Sequence, residues 1–224
     1  MPTAGTRGLG RFLSGSGRAL RLPAALRAAL LLLTAAGLAA GSAWGAEERA
    51  EDSFAGRLLV ASGNMGDPRF QETVIYMVEH SAEGAMGLVV NVPMGEVPFS
   101  DIFESMGIDL EAADGSLSVH YGGPVEPGRG FMLHSADVVL EGSKLVDETV
   151  ALTTQTEILR AIAQGEGPEH SLFALGYAGW GPGQLESELA RDAWFVIPAE
   201  PSLVFAEDPS ESWKRAVALR GIDL

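Results

Sequence analysis

The chain has 224 residues, no cysteine, 15 lysines and arginines against 30 aspartates and glutamates, and a net charge of −15. That length suits one compact domain, or at most two, with enough chain to bury an ordinary core. The missing cysteines exclude a disulfide scaffold, a thiolate zinc site and a cysteine nucleophile, and the acidic balance argues against nucleic acid as a direct partner, since phosphate binding needs a basic face.

The charge is unevenly spread. The first 46 residues hold five of the arginines (Arg7, Arg11, Arg18, Arg21 and Arg27) and no acid, so the rest of the chain carries −20. Residues 28–45 are apolar or small throughout, and the acidic run Glu47, Glu48, Glu51 and Asp52 follows. A basic start, an apolar middle and a polar flank make an export signal, with Ala43 and Gly45 as the small residues before a cleavage at Ala46. No twin-arginine pair is present, which favours the general secretory route. Two other readings stand beside it: an uncleaved signal anchor, and an upstream extension from a misplaced start codon. The chain therefore divides into a leader (1–45, signal peptide or anchor), an acidic flank (46–53) and one domain (54–224). The expected location is the periplasm or the exterior, or the cytoplasm if the leader is a start-site artefact. Membrane contact is expected only through an uncleaved leader.

From Phe54 onward, short β-rich runs alternate with turn residues. The first five are Arg57–Ala61, Thr73–His80, Gly87–Val92, Leu117–Tyr121 and Phe131–Leu133, with a hairpin at Glu83-Gly84. Thr149–Thr153, Leu172–Tyr177, Ala193–Ile197 and Leu203–Phe205 follow. Ser100 is placed to cap a short helix carrying Ile102, Phe103 and Met106. Thr156 precedes EILRAIA, whose Ile158, Leu159 and Ile162 share one side of a helix. Gln184–Ala190 reads as a short amphipathic helix, and Ser210 as the opening of a C-terminal one through Trp213 and Val217. Strands outnumber helices without a strict βαβα rhythm, so the class is α+β in a single domain.

Phosphate-loop, nucleophile-elbow, HExxH and dinucleotide signatures are all missing, and no helix-turn-helix is evident. The four histidines are His80, His120, His134 and His170. Three of them close or occupy strands, and with Asp67 or Glu79 they would form a metal or catalytic cluster if the fold brought them together. No pair has ligand spacing, so backbone hydrogen bonding is the plainer role. Asn64 and Asp67 sit in a turn that could bind a ligand or simply bond its own backbone. HYGGPVEPGRG (120–130) reads as a close approach of backbone to a ligand or as a tight connection. In GYAGWGPGQLE (176–186), a strand is expected to end at Tyr177. A glycine-rich turn then presents Trp180, either to anchor the turn in the core or to display it.

SGNMGDPRFQETVIYMVEH (62–80), GAMGLVVN (84–91), VHYGGPVEPGRGFMLHS (119–135) and GYAGWGPGQLESELARDAW (176–194) resemble the bacterial YqgE/AlgH family, in order and over about residues 54–220, nearly all of the chain after the leader. The resemblance implies a strongly bent, partly barrel-like mixed sheet flanked by short helices. Matching positions include Asn64, Met65, Asp67, Phe70, Thr73, Val74 and His80, then Gly87, Asn91, Gly122, Gly123, Pro124 and His134. Gly176, Tyr177, Gly179, Trp180, Gln184, Leu185 and Glu186 also match. No catalytic role comes with them. Some family members carry a transcriptional-regulator label through a link to alginate production, without a DNA-binding motif. This chain departs from the pattern in three places: Val92 stands where an arginine is common, Ser62-Gly63 replaces Met-Pro, and the leader is unusual for a family expected in the cytosol.

Three functions follow as expectations. The first is a non-enzymatic binding or regulatory module of the cell envelope, taking a protein or small-molecule ligand. The second is a hydrolase-like or metal-assisted enzyme built on Asp67, His80, His120 and His134. The third, a cytosolic transcriptional regulator, is disfavoured by the −20 charge and the leader. No cofactor and no metal ligand set is assigned. Candidate binding positions are Asn64, Asp67, Thr73, His80, Asn91, Gly122, Gly123, His134, Tyr177, Trp180, Gln184 and Glu186.

Overall fold

A computed structural model describes residues 53–108 and 115–220. The leader and most of the acidic flank lie outside the described residues. Ten strands form one curled sheet: β1 (Arg57–Ala61), β2 (Val74–Ser81), β3 (Gly84–Val89), β4 (Pro93–Pro98), β5 (Ser116–Tyr121), β6 (Val125–Ser135), β7 (Lys144–Leu145), β8 (Val150–Thr153), β9 (Ser171–Trp180) and β10 (Trp194–Pro198). The main path runs β10-β1-β2-β3-β9-β6-β8-β7, with β5 also paired to β9 and β4 paired to β5. All pairs are antiparallel except β5 with β9, so the sheet is mixed. Five short helices flank it: α1 (Phe99–Ser105), α2 (Glu157–Ala163), α3 (Gln184–Leu189), α4 (Pro201–Val204) and α5 (Ser212–Arg220).

Strand alternation sorts the apolar side chains into three cores. Leu58, Val60, Val74 and Tyr76 face the concave side, where they join Phe131, Leu133, Leu152, Leu172 and Ala174 from the far half. Leu203, Val204 and Ala216 from α4 and α5 close that inner core, and Trp213 Nε1 donates to the Ala61 carbonyl at 2.7 Å. On the convex side there are two separate outer cores. One, over β1–β3, gathers Leu59, Ile75, Met77, Val89, Trp180, Leu185 and Trp194. The other, over β5, β6 and β9, holds Leu117, Val119, Met132, Phe173 and Leu175 against Ile102, Phe103, Ile158 and Leu159 of α1 and α2.

β9 runs past both outer cores, and its two halves use opposite parities. Phe173 and Leu175 face outward before Gly176, whereas Ala178 and Trp180 do so after it. The switch needs an extra half-step of backbone, and Gly176 supplies it with φ at +72°. A Cβ there would lie 2.4 Å from the Gly123 carbonyl oxygen. Beside this bend, β6 carries three more residues than its partner between Val125 and Gly130, a bulge that lets the sheet curl. Side chains complete the curl across its open seam: Tyr76 Oη donates to Asp147 Oδ2 at 2.5 Å, and Lys144 Nζ meets Glu79 Oε1 at 2.5 Å. Burial raises the Asp147 pKa, but the hydrogen bonds from Tyr76, Thr149 and Val150 outweigh it and hold the carboxyl below the usual carboxylate range.

Four expectations are corrected. Leu203–Phe205 is no strand: Pro201 starts a helix that covers Leu203 and Val204, as proline at a first helical turn allows. Pro98 occupies the cap position of α1, leaving Ser100 inside the helix. The third strand ends at Val89, so Asn91 and Val92 fall in a connection, and Pro93–Pro98 forms a strand that the sequence did not suggest. β9 continues through Trp180 instead of stopping at Tyr177.

Candidate functional site

The outer core over β1–β3 is roofed by residues 62–72 and by α3, and half of the twelve candidate binding positions lie on or under that roof: Asn64, Asp67, His80, Trp180, Gln184 and Glu186. Asp67 caps the turn Pro68–Phe70 by accepting from the Arg69 backbone N–H. It also receives the Arg69 guanidinium at 2.6 Å. That guanidinium, and next the backbone bond, holds the Asp67 carboxyl below its ordinary pKa. Tyr121 packs against the same core from β5. Burial raises its phenol pKa, and the charges of Arg69 and Asp67 act on it in opposite senses. Asn64 is exposed on the same turn, while its neighbour Met65 is buried.

On the other side of this roof, Glu188 of α3 accepts from two indoles. Trp180 Nε1 donates at 3.0 Å and Trp194 Nε1 at 2.8 Å to the same Oε2. Gln184 Nε2 donates to Oε1 of Glu188 at 3.0 Å. The two indoles meet edge to face with centroids 6.1 Å apart, and Phe70 joins Trp194 in the same manner at 5.6 Å. Trp180 is therefore an anchor and not a displayed ring, since a buried indole with its N–H satisfied is held on all sides. His80, at the end of β2, contacts Glu186 Oε1 through Nε2 at 2.8 Å. The Glu186 carboxyl lies below its usual pKa because of its own backbone amide and then His80.

The remaining candidates serve the frame. Thr73 is buried, and its hydroxyl donates to the Phe70 carbonyl. Asn91 is a staple: its Oδ1 accepts from Val74 N at 2.8 Å and its Nδ2 donates to the Glu72 carbonyl at 2.9 Å. Glu72 has φ at +56°, so the staple holds a chain segment that lacks ladder partners. A Cβ on Gly122 or Gly123 would fall 2.3 Å or 2.1 Å from the backbone of residues 176 and 177. Those glycines serve a chain crossing. Tyr177 packs on the inner core and meets Phe131 edge to face.

The histidines do not converge. His80 lies under α3. His120 follows Val119 and therefore faces away from the outer core that Val119 joins, whereas His134 shares the face of Met132. Burial lowers the pKa of both, against weaker pulls from the Ser118 backbone and Glu96 on His120, and from the Ser135 backbone and Asp137 on His134. His134 Nδ1 lies 2.9 Å from the Ser135 carbonyl oxygen. Among the described residues, no group of three histidine, aspartate or glutamate side chains is arranged to hold a metal ion. Sequence reasoning missed Arg69, Tyr121 and Glu188. Only Arg69 had a signal, two residues beyond a capping aspartate.

A family model described as AlgH-like matches residues 58–224. The chain is 48% identical over 176 residues to a UPF0301 protein from Bradyrhizobium diazoefficiens, covering 75% of this chain and 82% of that one. It is 46% identical over 176 residues to a UPF0301 protein from Rhodospirillum rubrum, covering 79% and 92%. The solution structure of the AlgH protein from Pseudomonas aeruginosa superposes with a TM-score of 0.65 at 39% identity, over 78% of this chain and 92% of that one. A crystal structure from Corynebacterium diphtheriae, at 23% identity and a TM-score of 0.58 over 75% and 87%, shares the fold. The curled mixed sheet, the motif residues around its outer core and these likenesses agree: the chain belongs to the AlgH-like family.

Proposed function

We propose that the chain is a non-enzymatic binding or regulatory module that works in the cell envelope once its leader is removed, taking a protein or small-molecule partner. The observation that carries this reading is the roof over the β1–β3 outer core. Its inward side chains are locked by Glu188, the two tryptophans and Phe70, and this leaves Asn64, Arg69, Gln184 and Glu186 on a rigid exposed rim. Binding groups on a preorganised frame lose little entropy when a partner docks. The leader and the −20 charge of the remaining chain favour the envelope over DNA.

The enzymatic alternative draws less support, since Asp67 is engaged by Arg69, His80 by Glu186, and His120 and His134 face opposite sides of the sheet. The test is fractionation of cells expressing the C-terminally tagged chain, followed by capture from the periplasmic fraction with the wild type and with Asn64→Ala/Arg69→Ala. Processed protein in the periplasm and a partner lost in the double variant are expected. Full-length protein confined to the cytosol, or equal capture by both forms, would refute the reading.

A further inference from the structure

The described chain enters the sheet at Ser53 and Phe54, and one side chain holds that entry. Phe54 N–H donates to His80 Nδ1 at 3.2 Å, the two rings lie 4.6 Å apart, and Ser53 Oγ donates to the His80 carbonyl at 3.1 Å. Because Nδ1 accepts, the ring is the neutral tautomer with its proton on Nε2. That proton is directed to Glu186 Oε1 of α3 at 2.8 Å. The neutral ring thus satisfies a partner on each side, and its side chain is only 11% exposed.

We propose that His80 is an acid-sensitive latch: protonation of its ring releases the Ser53–Phe54 segment, through which the residues before it join the domain, and tightens the hold on α3. A proton on Nδ1 would stand against the Phe54 N–H, two donors face to face, so that hydrogen bond is lost. The Nε2–H contact to Glu186 meanwhile becomes an ion pair, which is stronger than its neutral counterpart. One proton therefore has opposite effects on two neighbours. Among the described residues, the charged groups around the ring are few. Glu186 faces it from α3, and Glu79 adjoins it on β2 but turns to Lys144 of β7. Its β3 partner is Ala85, and Ser53–Gly56 carries no charge.

The experiment follows the His80 ring and the Phe54 amide together by NMR in the full-length chain, from about pH 8 to about pH 5. Protection of the Phe54 amide, corrected for intrinsic exchange, is expected to fall about five- to tenfold as the ring protonates, while the Leu59 and Ile75 amides stay unchanged. In His80→Asn, Oδ1 replaces Nδ1 as acceptor without a titrating ring, and Phe54 protection should be flat. Glu186→Gln removes the ion pair and should move release to more acidic pH. Constant Phe54 protection through the ring titration would overturn the latch. So would the same pH-dependent loss in His80→Asn, or a shift to higher pH in Glu186→Gln.

Discussion

The two outer cores lie on the same convex side of one sheet, yet they are built differently. The core under α1 and α2 is built mainly by apolar packing: Ile102, Phe103, Ile158 and Leu159 sit on Leu117, Val119 and Phe173. The core under α3 and residues 62–72 is laced with polar links, from Glu188 to two indoles, His80 to Glu186, Asp67 to Arg69, and Ser62 to the Asp192 carbonyl. Apolar packing tolerates substitution of similar volume. A polar network is satisfied in only one geometry. The contrast separates a region that supplies stability from one that fixes the position of surface groups.

Substitutions sharpen that contrast. Phe103→Ala in the apolar core should have the largest effect, about 3–5 kcal/mol of unfolding free energy by denaturant titration. It should leave the emission of Trp180, Trp194 and Trp213 in the native state unchanged, because the first two lie in the other outer core and the third packs on the inner one. Glu188→Ala should cost about 2–3 kcal/mol by leaving two buried indole donors unpaired, and it should shift that emission. A Glu188→Ala variant with wild-type stability and spectrum would show that the lacing does not fix the roof.

Acid tests the seam between the halves. The folded Asp147 pKa lies below its unfolded value, so the contribution of this carboxylate is complete above about pH 4 and is lost as pH falls through the folded value. Asp147→Asn should flatten the acid limb of the stability curve, measured by thermal unfolding at successive pH values. The smallest effect belongs to Arg69→Ala. Its guanidinium is exposed and bonds only its own turn among the contacts described, so the thermal midpoint should not change while partner capture falls.

Much of this architecture was legible in the sequence, for identifiable reasons. Runs such as Arg57–Ala61 and Thr149–Thr153 carry β-rich composition between turn residues, and EILRAIA carries helical spacing after Thr156. β4 was not legible, because Pro93, Gly95 and Pro98 read as turn residues and only an edge position tolerates them. Leu203-Val204-Phe205 looks like strand until Pro201 is given the first helical turn. At the site, turn chemistry around Asp67 was visible because partner and donor are two residues apart. The His80–Glu186 contact spans 106 residues and the Asn91 staple 17, distances at which local pattern carries no information. The parity switch at Gly176 depends on a crossing with Gly123, which again only the folded chain reveals.

The most direct measurement compares the two faces in living cells. A photo-crosslinking amino acid placed at Asn64, on the laced roof, is set against one at Glu157, exposed on α2 over the apolar core. A discrete envelope adduct from Asn64 and none from Glu157 is the expected result. Adducts from Glu157 alone, or the same products from both positions, would contradict the assignment of binding to the roof under α3.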